Sequence, residues 1–311
     1  MLGVVRVATI DIGTNSVLLL VAEKRGDGSI VPVLERATIT RLGQGVDQTG
    51  ELAAEAVERT IACLREYAAE AKRAHAATIV AVGTSAMRDA RGGPAFATSA
   101  ADVLGVAPRI VSGRDEAALT FAGAVAGLSV RGMIAVFDVG GGSTEIVGGS
   151  WDGERAEIAK AASIDVGSVR LTERHVRSDP PTPRELEAVA RDVDAALVRV
   201  PKLPSGAPLV GVAGTVTTIA AVARAVVPYD GARVHGIELG ANEIASVRER
   251  LASLPVEARR RVAGIEPKRA DVIVAGAIVV ERVLAWAAAS TLIVSDRGVR
   301  WGLALEALRG G

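Results

Sequence analysis

A single cysteine, Cys63, in 311 residues excludes an intrachain disulfide and any cysteine-built metal cluster. Aromatics are only 3% of the chain, so the core has to be assembled from Ala, Val, Leu and Ile. Neither sign of charge is in surplus. The 36 basic and 36 acidic residues cancel, which leaves no broad basic surface for duplex nucleic acid. An anionic ligand would have to be held locally, by Arg side chains and backbone N–H groups. His75, His175 and His235 show no short ligand spacing and read as solvated or structural. Long hydrophobic runs are missing too: the apolar segment Val272–Val280 runs into Glu281 and Arg282, which predicts a buried helix rather than a bilayer span. Met1–Ile10 reads as a strand without the layout of a secretory signal, so the expected compartment is the cytoplasm, with no membrane contact.

What is present is globular: 49% hydrophobic and 23% charged residues, and a length that accommodates two domains. Short β-branched runs predict strands at Val4–Ile10, Val17–Ala22, Ile30–Leu34, Thr78–Val82, Arg109–Val111, Met133–Phe137, Thr144–Val147, Ile158–Ser163, Leu209–Ala213 and Thr291–Val294. Helices are predicted over Leu52–Ala74, Asp115–Ala126, Ser168–His175, Arg184–Val198, Val216–Ala225, Asn242–Leu251, Arg269–Ala288 and from Val299, with a loop over Pro201–Pro208. The class is α/β in two lobes, with Gly127–Gly132 as the joint. The expected division is 1–128 and 129–311, the last helix, about 299–311, being a candidate to pack back on the first lobe.

One internal echo outweighs these boundaries. VATIDIGTNS from Val7 is matched by IAVFDVGGGST from Ile134. Each is an apolar strand ending in Asp, a Gly two residues on, a small polar turn and a second apolar strand. Two such hairpins facing one another across a cleft would make a phosphate site. Gly in a tight turn can take positive φ and admits close approach, and successive N–H groups form an anion nest. Thr14, Asn15, Ser16, Ser143 and Thr144 add side-chain donors, and Gly140, Gly141 and Gly142 remove side chains altogether. Asp11, Asp138 and Glu145 beside such a cradle would repel phosphate unless a divalent cation intervened, Mg²⁺ being bound by one or two carboxylates, water and phosphate oxygens. A capped hairpin explains DIGTNS alone equally well; three consecutive glycines exceed what a hairpin needs.

Other segments carry two readings each. In SGRDEA from Ser112, Glu116 is either a base for water or a first-turn acid favoured by the helix dipole, with Ser112 as cap. Arg88, in TSAMRDA from Thr84, is either a phosphate clamp or a surface Arg paired with Asp89. In GVAGTVTT from Gly211, Gly214 and Thr215 open a helix whose N-terminus offers donors to an anion, or Thr215 simply caps it.

Together with DVGSVRLTE at Asp165, GIEPKRADVIVAGA at Gly264 and VSDRGVRWGL at Val294, these eight ordered motifs span nearly the whole chain. They resemble the exopolyphosphatase/guanosine pentaphosphate phosphohydrolase (Ppx/GppA) family, of the superfamily of actin, sugar kinases and heat-shock chaperone ATPases. The resemblance implies two ribonuclease-H-like lobes with an interlobe active-site cleft, and hydrolysis of a terminal phosphoanhydride assisted by Mg²⁺ (or Mn²⁺). It implies Glu116 as general base, with Asp115 the lesser claimant, and Asp138 and Glu145 as metal or water partners, beside Asp11 as the third expected metal ligand. Gly13–Ser16 and Gly140–Thr144 would be phosphate cradles, and Arg88 and Arg269 would approach the phosphate chain. A homodimer is also implied.

Two departures stand out. Family members carry an Arg in a pattern like NSVRLL, where this chain has Leu18; Arg41 is a candidate to compensate. Long members continue into a helical extension related to HD phosphohydrolases, whereas this sequence stops at Gly311, so a preference for short polyphosphate and low processivity is expected. The alternatives are guanosine pentaphosphate or nucleoside di- or triphosphate as substrate, a sugar or acetate kinase, against which SGRDEA and SDRG count, and a non-catalytic sensor, which would need neither Glu116 nor Glu145.

Overall fold

The computed structural model describes residues 5–203 and 206–309; the predicted strand residues before Val5, Pro204 and Ser205 of the predicted loop, and Gly310 and Gly311 of the last helix lie outside them. Backbone contacts divide the chain into two units, Met1–Gly123 with Val299–Gly311, and Ala124–Gly298. In the first, β1 (Arg6–Ile12), β2 (Ser16–Lys24) and β3 (Ile30–Ile39) form an antiparallel meander. There follow α1 (Val46–Thr49), α2 (Ala54–Arg73), β4 (Thr78–Gly83), α3 (Ser85–Asp89), α4 (Gly93–Leu104), β5 (Arg109–Ile110) and α5 (Gly113–Val125). The sheet order is β3-β2-β1-β4-β5, with β4 and β5 parallel to β1.

In the second, β6 (Gly132–Val139), β7 (Thr144–Trp151) and β8 (Ala156–Ile164) form another meander. Then come α6 (Ser168–His175), α7 (Pro183–Leu197), β9 (Leu209–Val212), α8 (Ala213–Ala223), α9 (Gly231–Val234), β10 (Glu238–Gly240), α10 (Ala241–Ala252) and α11 (Val256–Arg259). A 3-10 turn (Pro267–Arg269), α12 (Ile273–Trp286) and β11 (Thr291–Val294) complete it, and α13 (Val299–Arg309) belongs to the first unit. Read from its far edge, β8-β7-β6-β9-β11 repeats the order of the first sheet, with β10 added antiparallel at the end.

Period-two alternation decides which side chains meet which layer. In the first sheet Ala8, Ile10, Ile12, Val17, Leu19 and Val21 pack with Cys63, Leu64 and Tyr67 of α2 and Phe96 and Ala100 of α4. Those α2 residues belong to a buried stripe, Ala56, Thr60, Cys63, Leu64, Tyr67 and Ala71, at the spacing of one helical face. The alternate set, Val7, Leu20 and Ala22, packs on Trp301, Ala304 and Leu308 of α13. In the second sheet Ala135, Phe137, Val139 and Ile146 share a core with α6, α7, α8, α10 and α12. The apolar segment Val272–Val280 supplies the cap and the first half of α12 and is buried there, and among the described residues no helix is long and apolar enough to cross a membrane.

The structure moves several predicted boundaries. Asp11 and Asp138 lie inside β1 and β6 rather than ending them, because the cross-strand ladder continues to Ile12 and Val139. Ala213 is the first residue of α8, not the last of a strand, and Arg269 ends a 3-10 turn ahead of α12.

Candidate active site

In each unit the candidate residues collect at and just beyond the carboxyl ends of the parallel strands, where an open α/β sheet presents its loops to a ligand. In the first unit these are the ends of β1, β4 and β5, which register side by side through Asp11↔Val82 and Gly83↔Ile110. Asp11 is buried, with Leu18 directly opposite on β2, so the position where the family pattern carries Arg adjoins this carboxylate.

The two turns of the sequence echo are built alike. Gly13 N–H donates to Ser16 O at 3.0 Å, and Gly140 N–H donates to Ser143 O at 3.0 Å. A Cβ would stand 2.9 Å from Ser16 O at Gly13 and 3.1 Å from Ser143 O at Gly140. Gly13 and Gly140 do not take positive φ, contrary to the expectation from turn chemistry; close backbone approach is what favours glycine at 13 and, less strongly, at 140.

Both turns are tied from behind by their carbonyls. Gly43 N–H donates to Thr14 O (2.9 Å), and Thr40 and Arg41 N–H both donate to Asn15 O (3.1 and 2.9 Å). In the second unit Ser168 N–H donates to Gly140 O (2.9 Å), and Val169 and Arg170 N–H to Gly141 O (2.9 and 3.0 Å). Arg170 Nε adds a bond to Gly142 O at 2.7 Å. With the carbonyls held, the backbone N–H groups of Thr14, Asn15, Gly141 and Gly142 have no acceptor among the described residues, and buried Asn15 Oδ1 has no donor. Oriented N–H groups of this kind make an anion-binding concavity. The Thr144 hydroxyl is committed elsewhere, donating to Val166 O at 2.6 Å.

Arg88, on α3, makes the pair with Asp89 that one of its sequence readings expects, and two further contacts. Its Nε donates to Asp89 Oδ1 at 3.1 Å, while Nη1 donates to Val111 O at 3.0 Å and to Glu116 Oε2 at 3.1 Å. Glu116 is 7% exposed. Its neighbour Asp115 is occupied by the helix start: Ser112 Oγ accepts from Asp115 N–H at 3.2 Å and donates to Asp115 Oδ2 at 2.8 Å. The two acids of this pair therefore have different surroundings, Asp115 at the cap and Glu116 against a guanidinium.

In the second unit Asp138 and Glu145 face each other directly across β6 and β7, on the side of the sheet away from Phe137 and Ile146. Ser163, next in the row on β8, donates to Glu145 Oε1 at 2.7 Å. Like charges in directly opposed positions are unfavourable, and Glu145 is 1% exposed. A hard divalent cation fits this donor set, since it needs only one or two carboxylates and fills the rest of its shell with water and substrate oxygens. Among the described residues no group of three or more His, Cys, Asp or Glu is gathered tightly enough to make an all-protein cage.

Gly214 and Thr215 lie in the first turn of α8, which follows β9 without a side-chain cap; Thr215 is buried and does not cap it. The Arg269 guanidinium lies across Gly214, where a Cβ would fall 2.0 Å from Nη1. Gly276 of α12 sits against both Thr215 and Ser168, so the starts of α6 and α8, Arg269 and the Gly140 turn form one neighbourhood. Ala213, at the strand-to-helix corner, has φ 69, a left-handed conformation costly for a residue with a Cβ. Ala213→Gly is expected to stabilise the protein by about 0.5–1 kcal/mol, relief of strain exceeding the added unfolded-state entropy. Urea unfolding measures this directly.

Sequence reasoning assigned no role to Ser163, Gly167, Ser168 or Arg170. The DVGSVRLTE segment was the available signal for the last three, because a Gly-Ser step opening a helix marks a place of close approach. The histidines are placed structurally, His175 Nε2 lying 2.7 Å from Asp192 Oδ2 and His235 Nδ1 3.3 Å from Ser295 Oγ.

The Ppx/GppA phosphatase family matches residues 20–310, and the chain belongs to that family. Exopolyphosphatase 2 of Mycobacterium tuberculosis is 40% identical over 322 residues, covering 98% of this chain and 99% of that protein. The crystal structure of the Aquifex aeolicus Ppx/GppA family member superposes with a TM-score of 0.82 at 34% identity, covering 99% of each chain. A guanosine-5'-triphosphate,3'-diphosphate pyrophosphatase of Vibrio cholerae is 32% identical over 170 residues, 55% of this chain and 33% of that protein.

Proposed function

We propose that this protein is an exopolyphosphatase, hydrolysing the terminal phosphoanhydride of inorganic polyphosphate to release orthophosphate. The observation that carries the reading is the matched pair of glycine turns, each with carbonyls tied back and with two backbone N–H groups, those of Thr14 and Asn15 and of Gly141 and Gly142, that have no acceptor among the described residues. Full-length similarity to a protein named exopolyphosphatase supports the choice of substrate.

In this reading Glu116 takes a proton from the attacking water, and Arg88 holds it in position through the 3.1 Å ion pair. The turns Gly13–Ser16 and Gly140–Thr144 receive phosphate oxygens through backbone N–H groups, joined by the start of α8 at Gly214 and Thr215. Arg88 and Arg269 offset the charge of the phosphate chain. Asp138 and Glu145 of the second unit would hold Mg²⁺ or Mn²⁺, which neutralises phosphate charge and polarises the transferred group when bound, and Asp11 is the candidate metal ligand of the first unit. Water attacks the terminal phosphorus, the bridging oxygen leaves with the shortened chain, and the proton passes to Glu116. Cytoplasmic location and a homodimer belong to the same proposal.

A second reading, hydrolysis of guanosine pentaphosphate or a nucleoside di- or triphosphate by the same residues, is favoured by the partial similarity to the Vibrio protein. Phosphate release from defined-length polyphosphate, guanosine pentaphosphate and ATP separates the two. Polyphosphate is expected to be turned over at least ~10-fold more efficiently, a difference of about 1.4 kcal/mol in transition-state binding. Chelation by EDTA is expected to stop release and added Mg²⁺ to restore it. Nucleotide turnover without polyphosphate turnover replaces the first reading by the second.

A further inference from the structure

We propose that Arg259 is a positioning residue that sets Arg269 for its phosphate contact. This rests on the reading above, in which Arg269 is a phosphate ligand. Arg259 ends α11 and is 1% exposed, a costly burial for a charged side chain, and its Nη2 has no hydrogen-bond acceptor among the described residues.

Its contacts join three separate segments. Nε donates to Leu254 O at 2.8 Å and Nη1 to Ala270 O at 2.8 Å. Nη2 lies 3.5 Å from Asp179 Oδ1, an ion pair beyond hydrogen-bond length. Asp179 in turn accepts Val256 N–H at 2.9 and 3.1 Å, which ties the start of α11 to the same carboxylate.

Ala270 is the residue after Arg269, so the guanidinium of Arg259 holds the peptide that leaves the Arg269 turn. On its other flanks Arg269 N–H donates to Glu266 O at 2.8 Å and Arg269 O accepts from Val272 at 3.1 Å. The Arg269 side chain then crosses Gly214, where no Cβ stands in its way. The Arg269 backbone is thus held by two local bonds, and Arg259 adds a bond to the next residue from outside the turn.

An apolar side chain would fill the buried space of Arg259 at less desolvation cost. What it would not supply is a planar fork reaching carbonyls on two loops at once, and a lysine ammonium lacks that geometry too. The bridge from the Leu254 loop to the Arg269 turn is therefore the function the buried charge serves.

The test is a double-mutant cycle on polyphosphate hydrolysis by the full chain, with thermal unfolding of every variant. Arg269→Ala is expected to raise KM ~30-fold with kcat changed by less than ~3-fold, as for an interaction made equally in ground and transition states. Arg259→Met is expected to raise KM ~10-fold in the wild-type background and less than ~2-fold when combined with Arg269→Ala, since residues acting through one another are non-additive. A ~10-fold rise in both backgrounds overturns the positioning role and leaves the reading of Arg269 intact. An unchanged KM in Arg269→Ala overturns that reading, and the proposal with it. If Arg259→Met does not fold, Asp179→Asn serves in its place: a ~3-fold rise in KM that vanishes beside Arg269→Ala supports the proposal, and equal rises in both overturn it.

Discussion

Glu116→Gln is expected to lower kcat for polyphosphate by ~10²–10⁴-fold, the range that loss of a positioned general base produces. The amide keeps the size of the carboxylate and can still accept from Arg88 Nη1, whose 3.1 Å contact orients the present side chain. It cannot take a proton from water. Binding of polyphosphate, measured in the absence of turnover, is expected to stay within ~2-fold, because the proposed cradle consists of other groups. Asp115→Asn is the matched control. Asp115 serves the first turn of α5 through Ser112, so its loss is expected to cost only about 0.5–1 kcal/mol of stability and little activity. Were Glu116→Gln to retain full turnover while Asp115→Asn lost it, the base would be the other acid of the pair.

The second large effect is expected at Gly167. Its φ of −153 is open to any residue, so the demand for glycine here comes wholly from contact. A Cβ at this position would lie 2.5 Å from both C and O of Gly141 and 2.7 Å from C of Gly142. These are backbone atoms of the proposed phosphate cradle, and no rotamer change can move them aside. Gly167→Ala must push the Gly141–Gly142 peptide away or shift the start of α6, whose Ser168, Val169 and Arg170 N–H groups grip that turn. Overpacking of this kind costs about 1–3 kcal/mol of stability. A displacement near 1 Å in a binding turn is expected to cost ~10²-fold in kcat/KM. Denaturant unfolding and steady-state kinetics on the same preparation distinguish the two effects. Activity that falls only in proportion to the folded fraction would remove the link between Gly167 and the turn.

Much of this arrangement could be read before any coordinates. The echo between VATIDIGTNS and IAVFDVGGGST located both turns, and the two meanders around them are the first three strands of sheets with the same order. What stayed hidden depended on contacts between distant residues. The Ser163–Glu145 bond follows from the register of β7 on β8, and the Arg88–Glu116 pair joins residues on α3 and α5. Helix α4 was missed because Gly92, Gly93 and Pro94 punctuate its start and its Ala-rich sequence carries a weak periodic signal. Three-residue β10 is below what alternation can detect. The glycine turns were found for a partly mistaken reason: positive φ was expected, and steric closeness to Ser16 O and Ser143 O was the cause.

The placement of α13 has a consequence for how the nascent chain matures. Val7, Leu20 and Ala22 present an apolar face that is covered by Trp301, Ala304 and Leu308. Those covering residues are made only after the entire Ala124–Gly298 unit. The segment synthesised first therefore waits with Val7, Leu20 and Ala22 uncovered, while the unit synthesised later contains all its strands in one uninterrupted stretch. Domain maturation usually runs from the amino terminus; here the first unit can complete its packing only after the second has been made.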